Sequence, residues 1–156
     1  MAPRDPMIAT TDQRMREAGL NEREALVARY WQEFWSAGRM DFAAEYYAPT
    51  YHENLESLTP EAFAVRGSRW RAHFEDFTVR LDEVFSVGDR VVSRVTYRGR
   101  HTGAFAYLPA RGLTFEQSGI DIFEFQASRV VRHWHETDHL ELFDQIGAKL
   151  VDAGAT

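Results

Sequence analysis

The stretch RHWHETDH, residues 132–139, sets three histidines, a glutamate and an aspartate within eight positions. Imidazoles and carboxylates at that density do one of two things: they ligate a metal ion, or they carry protons. The spacing is one residue longer than an H-x-H-x-D-H metal string, and no histidine follows His139 to complete a ligand set. A simpler chelate of His101, His133 and His135 has no evident fourth ligand, so no metal site is expected. Proton transfer fits these residues better.

For that chemistry the groups must face a common interior. In RVVRHWHET the period of two places Val131, His133, His135 and Thr137 on one face. In LTFEQSGIDIFEF it groups Phe115, Gln117, Asp121, Phe123 and Phe125, and in VVSRVTYRGRHT it groups Val91, Val95, Tyr97 and His101. Asp121 and His135 on paired strands would orient one another, the carboxylate fixing the imidazole tautomer and raising its basicity. A polar pair that only ties two strands together is the alternative. Three ionisable groups on one apolar-aromatic face exceed what structure alone requires. Asp138 reads as a helix cap, His139 and Glu141 as solvated, and Arg132 and Trp134 as belonging to the opposite sheet face.

Helices precede these strands. Asn21 with Glu24 resembles a capping box, and NEREALVARYWQEFWSAG then aligns Leu26, Val27, Tyr30, Trp31, Phe34 and Trp35 on one stripe that Gly38 ends. A short helix around MDFAAEYY stops at Pro49. Thr59 and Pro60 open a third helix, interrupted in composition by Gly67. From Thr78 the strands follow as a meander, and DHLELFDQIGAKL closes as a helix with Leu140, Phe143, Ile146 and Leu150 as its stripe. The predicted architecture is α+β, with helices packed on one face of a strongly curved antiparallel sheet.

The 156 residues make one domain, 21–156, behind an N-terminal arm, 1–20, that lacks the apolar core of a secretion signal. A formal charge of −6 disfavours nucleic acid, and no apolar run is long enough to span a membrane, so a cytoplasmic location is expected. With no cysteine there is neither disulfide nor thiolate chemistry. Aromatic residues make 13% of the chain, more than a minimal core needs, which points to a pocket for a flat apolar ligand.

The motifs RHTG, GIDIF and HW…D…L…QIG, within residues 22–148, resemble the SnoaL-like polyketide cyclase family of the nuclear-transport-factor-2-like superfamily. The resemblance implies a cone-shaped α+β barrel, usually a homodimer, with a deep hydrophobic pocket. It also implies cofactor-free aldol ring closure of an aromatic polyketide ester, in which a carboxylate takes a proton from carbon. The family's pocket aromatic falls on Trp35, with Trp31 beside it on the same stripe. Its pocket-lining Asn falls on Glu53, next to Tyr51, and its RHTG histidine is His101. The catalytic aspartate falls on His135 and the neighbouring histidine on Asp121, so the pair is kept but exchanged in position. The expected catalysts are then His135 as base, Asp121 as its orienter and His101 as donor to an oxyanion. Trp31, Trp35, Tyr51, Glu53, Gln117, Phe123 and His133 are expected around the substrate, a small hydrophobic molecule. Two alternatives share the scaffold: an enzyme resembling limonene epoxide hydrolases, weakened because the strand arginines face outward, and a non-catalytic hydrophobic-ligand-binding protein.

Overall fold

Helix α1 (Glu22–Arg29) opens with the expected capping box: the Asn21 side chain accepts from the Arg23 and Glu24 backbones, and the Glu24 carboxylate accepts from the Asn21 N–H at 3.1 Å. The computed structural model describes residues 19–105 and 108–149. Residues 1–18 of the expected arm, and Leu150, lie outside them. Beyond Arg29 the chain does not continue as α-helix. It widens into a π-helix, Tyr30–Ser36, which carries Tyr30, Trp31, Phe34 and Trp35. Arg71 donates to the Trp35 and Ser36 carbonyls and so satisfies the end of this turn.

Helix α2 (Phe42–Tyr46) runs directly into strand β1 (Tyr47–Glu53), which the sequence did not announce. Pro49 disguises it. The register of β1 against its neighbour shifts between Tyr47 and His52, and Pro49 lies within that irregularity, where a missing N–H is tolerated. A hairpin through Asn54, at φ 48°, leads to β2 (Glu56–Leu58). Helix α3 (Pro60–Arg71) starts as expected, with Thr59 Oγ1 accepting from the Ala62 N–H at 3.3 Å.

The meander comprises β3 (Phe74–Val87), β4 (Arg90–His101), β5 (Thr114–Gln126) and β6 (Arg129–Thr137). The sheet order is β2-β1-β6-β5-β4-β3, and β1 pairs parallel to β6. The sheet is therefore mixed rather than wholly antiparallel as expected. Helical segments touch strands from β1 at one side to β3 at the other, so the sheet curls around them. A bulge between Glu124 and Phe125 shifts the start of β6, so that Val130 rather than Val131 is buried.

Helix α4 (His139–Gln145) is capped by Asp138, whose Oδ1 accepts from the Glu141 N–H at 3.0 Å. Its buried residue is Leu142, while Leu140, expected on the apolar stripe, is 63% exposed. Phe143 and Ile146 of the expected stripe do pack inward, and Leu142 takes the place of Leu140 beside them. No helix among the described residues is long and apolar enough to cross a membrane.

Gly67 does not break α3. It lets the helix approach the π-helix: a Cβ there would meet the Phe34 ring at 2.7 Å. Gly67→Ala gains at most about 1 kcal/mol of helix propensity but overpacks a buried contact at about 1–3 kcal/mol. A net destabilisation of about 1 kcal/mol is expected in urea unfolding, and a stabilised variant would contradict this packing.

Candidate active site

Between the helices and the inner sheet face lies a cavity of about 210 Å³. Tyr30, Trp31, Trp35, Phe63, Trp70 and Tyr97 give it an aromatic wall. Polar groups enter from β1 (Glu53), α3 (Arg66), β5 (Gln117, Asp121), β6 (His133, His135, Thr137) and the start of α4 (His139).

At the buried side, Asp121 Oδ1 lies 2.8 Å from His133 Nε2, with the two side chains 2% and 3% exposed. The expected Asp121–His135 pair does not form, although those residues are directly opposite across the strands. Asp121 instead meets the diagonal neighbour two residues along, a distance that side chains span across a twisted pair. His135 is drawn the other way, its Nε2 3.3 Å from Glu53 Oε1 on β1. The ring of His133 stacks on Phe123 at 4.3 Å, and its Nδ1 lies 3.0 Å from the Tyr47 hydroxyl. Both of its ring nitrogens are thus engaged. Asp121 Oδ2, by contrast, is buried without a hydrogen-bond partner among the described residues.

The two carboxylates differ in their surroundings. Burial lifts the Asp121 carboxyl above its ordinary range, opposed by the hydrogen bond from His133. Burial would raise Glu53 as well, yet hydrogen bonds from His135 and from Tyr51 (2.9 Å), with the charge of His135, bring it below the ordinary range. The Glu53 hydrogen bond raises His135 in turn, against the pull of burial. Arg66 stands over this pair, 3.8 Å from Glu53 and 2.8 Å from Glu56.

Of the expected site residues, the structure gathers His135, Asp121, Trp35, Trp31, Glu53, Gln117 and His133 around the cavity. His101 is elsewhere. It is buried at the far end of β4 beside Phe74, outside the cavity wall, with neither ring nitrogen hydrogen-bonded among the described residues. It shares the inward face of its strand, as parity required, but lies too far along it. Tyr51 and Phe123 stand one layer behind the wall, holding Glu53 and His133. Arg66 was missed because only strand arginines were weighed. Nothing in the sequence marks it beyond its helical spacing of three from Phe63. His139 is exposed, as expected, and also stands at the cavity wall: Nδ1 lies 3.2 Å from Gln117 and Nε2 3.0 Å from Thr137. Burial keeps its pKa below the ordinary value. Among the described residues no group of three or more His, Asp or Glu side chains is placed to hold a metal ion.

A curled sheet closed by N-terminal helices, with an acid- and histidine-lined aromatic cavity inside, is the nuclear-transport-factor-2-like cone. The family model described as SnoaL-like polyketide cyclase matches residues 25–146, and the chain belongs to that family. Its structure is similar to that of TsrD from Streptomyces laurentii, at 28% identity and a TM-score of 0.75, covering 83% of this chain and 99% of that one. It is also similar to IdmH from Streptomyces antibioticus (22%, TM-score 0.73, 82% and 100% covered). A SnoaL-like polyketide cyclase from Agrobacterium tumefaciens gives 14%, a TM-score of 0.71, and 82% and 100% coverage. No curated protein matches significantly.

The Glu53–His135 pair has a pH signature. A histidine whose pKa folding raises above the ordinary 6.5 adds stability below that value and loses it as pH rises through the folded one. His135→Gln is expected to lower stability at mildly acidic pH, by about 1 kcal/mol or less because the ring is 34% exposed and screened. The loss should shrink toward alkaline pH. Urea unfolding of both proteins across pH measures it, and a deficit that grew with pH would contradict the pairing.

Proposed function

We propose that this protein is a cofactor-independent cyclase-type enzyme that uses Asp121 as a carbon base on a hydrophobic, polyketide-derived substrate. The observation that carries this is the free Oδ2 of Asp121 in an aromatic wall, while Oδ1 is held by His133. A carboxylate raised by burial is a stronger base than one in water, and the dry wall keeps it so. The roles expected from the sequence are redistributed accordingly. Asp121 takes the proton, His133 orients it, and His135, made more cationic by Glu53, donates toward the oxygen on which charge develops.

In this scheme Asp121 Oδ2 removes a proton from a carbon next to a carbonyl. The resulting enolate carbon attacks a second carbonyl of the same molecule, forming one carbon–carbon bond. The alkoxide so produced recovers the proton, and the net change is an isomerisation by ring closure. Membership of the cyclase family supports the reaction class, as does similarity to IdmH, which is described as a candidate polyketide cyclase. At about 210 Å³ the cavity is smaller than the usual ligand pocket, so a polycyclic substrate would insert one edge.

The homodimer belongs to the same proposal. Phe85, Val92, Ile122 and Trp134 form one apolar row across four strands on the outer sheet face, with the Arg90 guanidinium over the Trp134 ring. Sedimentation is expected to give twice the chain mass, falling to a single chain in Ile122→Asp.

Incubation with aromatic polyketide esters, followed by chromatography, tests the reaction. Asp121→Asn is expected to lower kcat by about 10²–10⁴-fold while retaining binding. Wild-type turnover in Asp121→Asn would remove the base assignment. Hydration of epoxides instead would move the enzyme to the hydrolase reading, with Arg66 as the inward arginine that reading needs. Binding without any turnover would make the protein a carrier.

A further inference from the structure

The mechanism leaves unused a line of buried hydroxyls that runs from the catalytic pair into the helical layer. Trp35 Nε1 lies 3.0 Å from the Tyr30 hydroxyl, which lies 3.1 Å from the Tyr47 hydroxyl, which lies 3.0 Å from His133 Nδ1. Tyr30 and Tyr47 are 0% and 1% exposed, and burial holds both phenols far above their usual range, so both keep their protons. The spacing of five between Tyr30 and Trp35 fits the wide turn of the π-helix.

An indole N–H only donates, so Tyr30 oxygen accepts from Trp35. The remaining neighbour for the Tyr30 hydrogen is the Tyr47 oxygen, and Tyr47 then sends its own hydrogen to His133 Nδ1. His133 must carry its proton on Nε2, where it donates to Asp121 Oδ1. Every hydrogen in the line is paired. A proton on Nδ1 would reverse Tyr47 and leave the Tyr30 hydrogen, on a side chain 0% exposed, with no acceptor among the described residues, the costly case for a buried donor.

We propose that Tyr47 is a positioning residue: its hydroxyl, set in direction by Tyr30 and Trp35, holds His133 as the neutral Nε2–H tautomer, which pins Asp121 Oδ1 and leaves Oδ2 as the base. The kinetic part rests on Asp121 acting as the base; the tautomer does not.

Two-bond proton–nitrogen spectra of the full chain with ¹⁵N-histidine read the tautomer directly, with His133 assigned by the signals lost in His133→Gln. At neutral pH, wild-type His133 is expected to show a protonated Nε2 and a bare, hydrogen-bonded Nδ1. In Tyr47→Phe the Nδ1 signal should move to the position of an unbonded ring nitrogen. On a substrate that the enzyme turns over, Tyr47→Phe should lower kcat about tenfold, the weight of one hydrogen bond, with KM nearly unchanged. A proton on Nδ1 in the wild-type protein overturns the proposal even if Tyr47→Phe does not fold. So does an unmoved Nδ1 signal in Tyr47→Phe. Turnover surviving in Asp121→Asn would instead remove the base assignment and leave the tautomer standing.

Discussion

A carboxyl group 1% exposed among aromatic rings is the constraint from which the rest of this site follows. Burying an unpartnered carboxylate costs several kcal/mol, and a single good hydrogen bond offsets only part of that. Asp121 receives that one bond from His133, and burial still lifts its pKa. The imidazole must then be held as firmly as the carboxylate. Phe123 supports its face and Tyr47 meets its second nitrogen. Tyr47 depends on Tyr30, and Tyr30 on the turn of helix that also delivers Trp35. The π-helix, an uncommon element, is explained by this demand. It brings an indole N–H and a phenol five residues apart onto one another beside the cavity.

The same residue types, repeated a few ångströms away, are set up for the opposite task. Glu53 is also buried, but it accepts from Tyr51 and His135 and lies near Arg66, so its charge is stabilised where that of Asp121 is not. Two carboxylates and two histidines, the ring centroids of the latter 5.4 Å apart, thus meet opposite surroundings, which lift the Asp121 carboxyl and hold the Glu53 carboxyl down. Separation by environment is how one site carries acid and base chemistry near neutral pH. Arg66 is half exposed, so the Glu53–His135 pair lies toward the cavity mouth and Asp121 in its depth.

Much of this was legible in the sequence. Strand parity placed Asp121, His133 and His135 on the interior face, and the caps at Asn21, Thr59 and Asp138 located three helix starts. What parity cannot supply is depth along a strand, which is why His101 was placed in the cavity. Nor can it choose between opposite and diagonal partners. That choice was made by Glu53, on a strand that Pro49 concealed. With β1 in place His135 has a competing carboxylate, and Asp121 turns to His133. The change from α- to π-helix left no mark either, since both satisfy the apolar spacing of Tyr30, Trp31, Phe34 and Trp35. His139 is exposed, as its position after a cap implied, but parity gave no sign that Gln117 and Thr137 would hold it beside the cavity.

The aromatic surplus takes on a different meaning once the cavity is seen. Rings in excess of a minimal core suggested a lined pocket, and six of them do line it. Others act on the ionisable groups rather than on a ligand. Phe123 lies flat under His133, Tyr47 meets His133 Nδ1, and Tyr51 donates to Glu53 while stacking on Tyr47 at 3.9 Å. Tyrosine suits this layer because it fills volume as phenylalanine does and still offers one hydrogen with a fixed direction. An aliphatic core of equal volume would keep the cavity dry but could not orient an imidazole. An open polar site could orient it but would return Asp121 to the basicity of a carboxylate in water. A layer of phenols meets both demands, which accounts for the buried hydroxyls of Tyr30 and Tyr47 on the side of Asp121 and of Tyr51 on the side of Glu53.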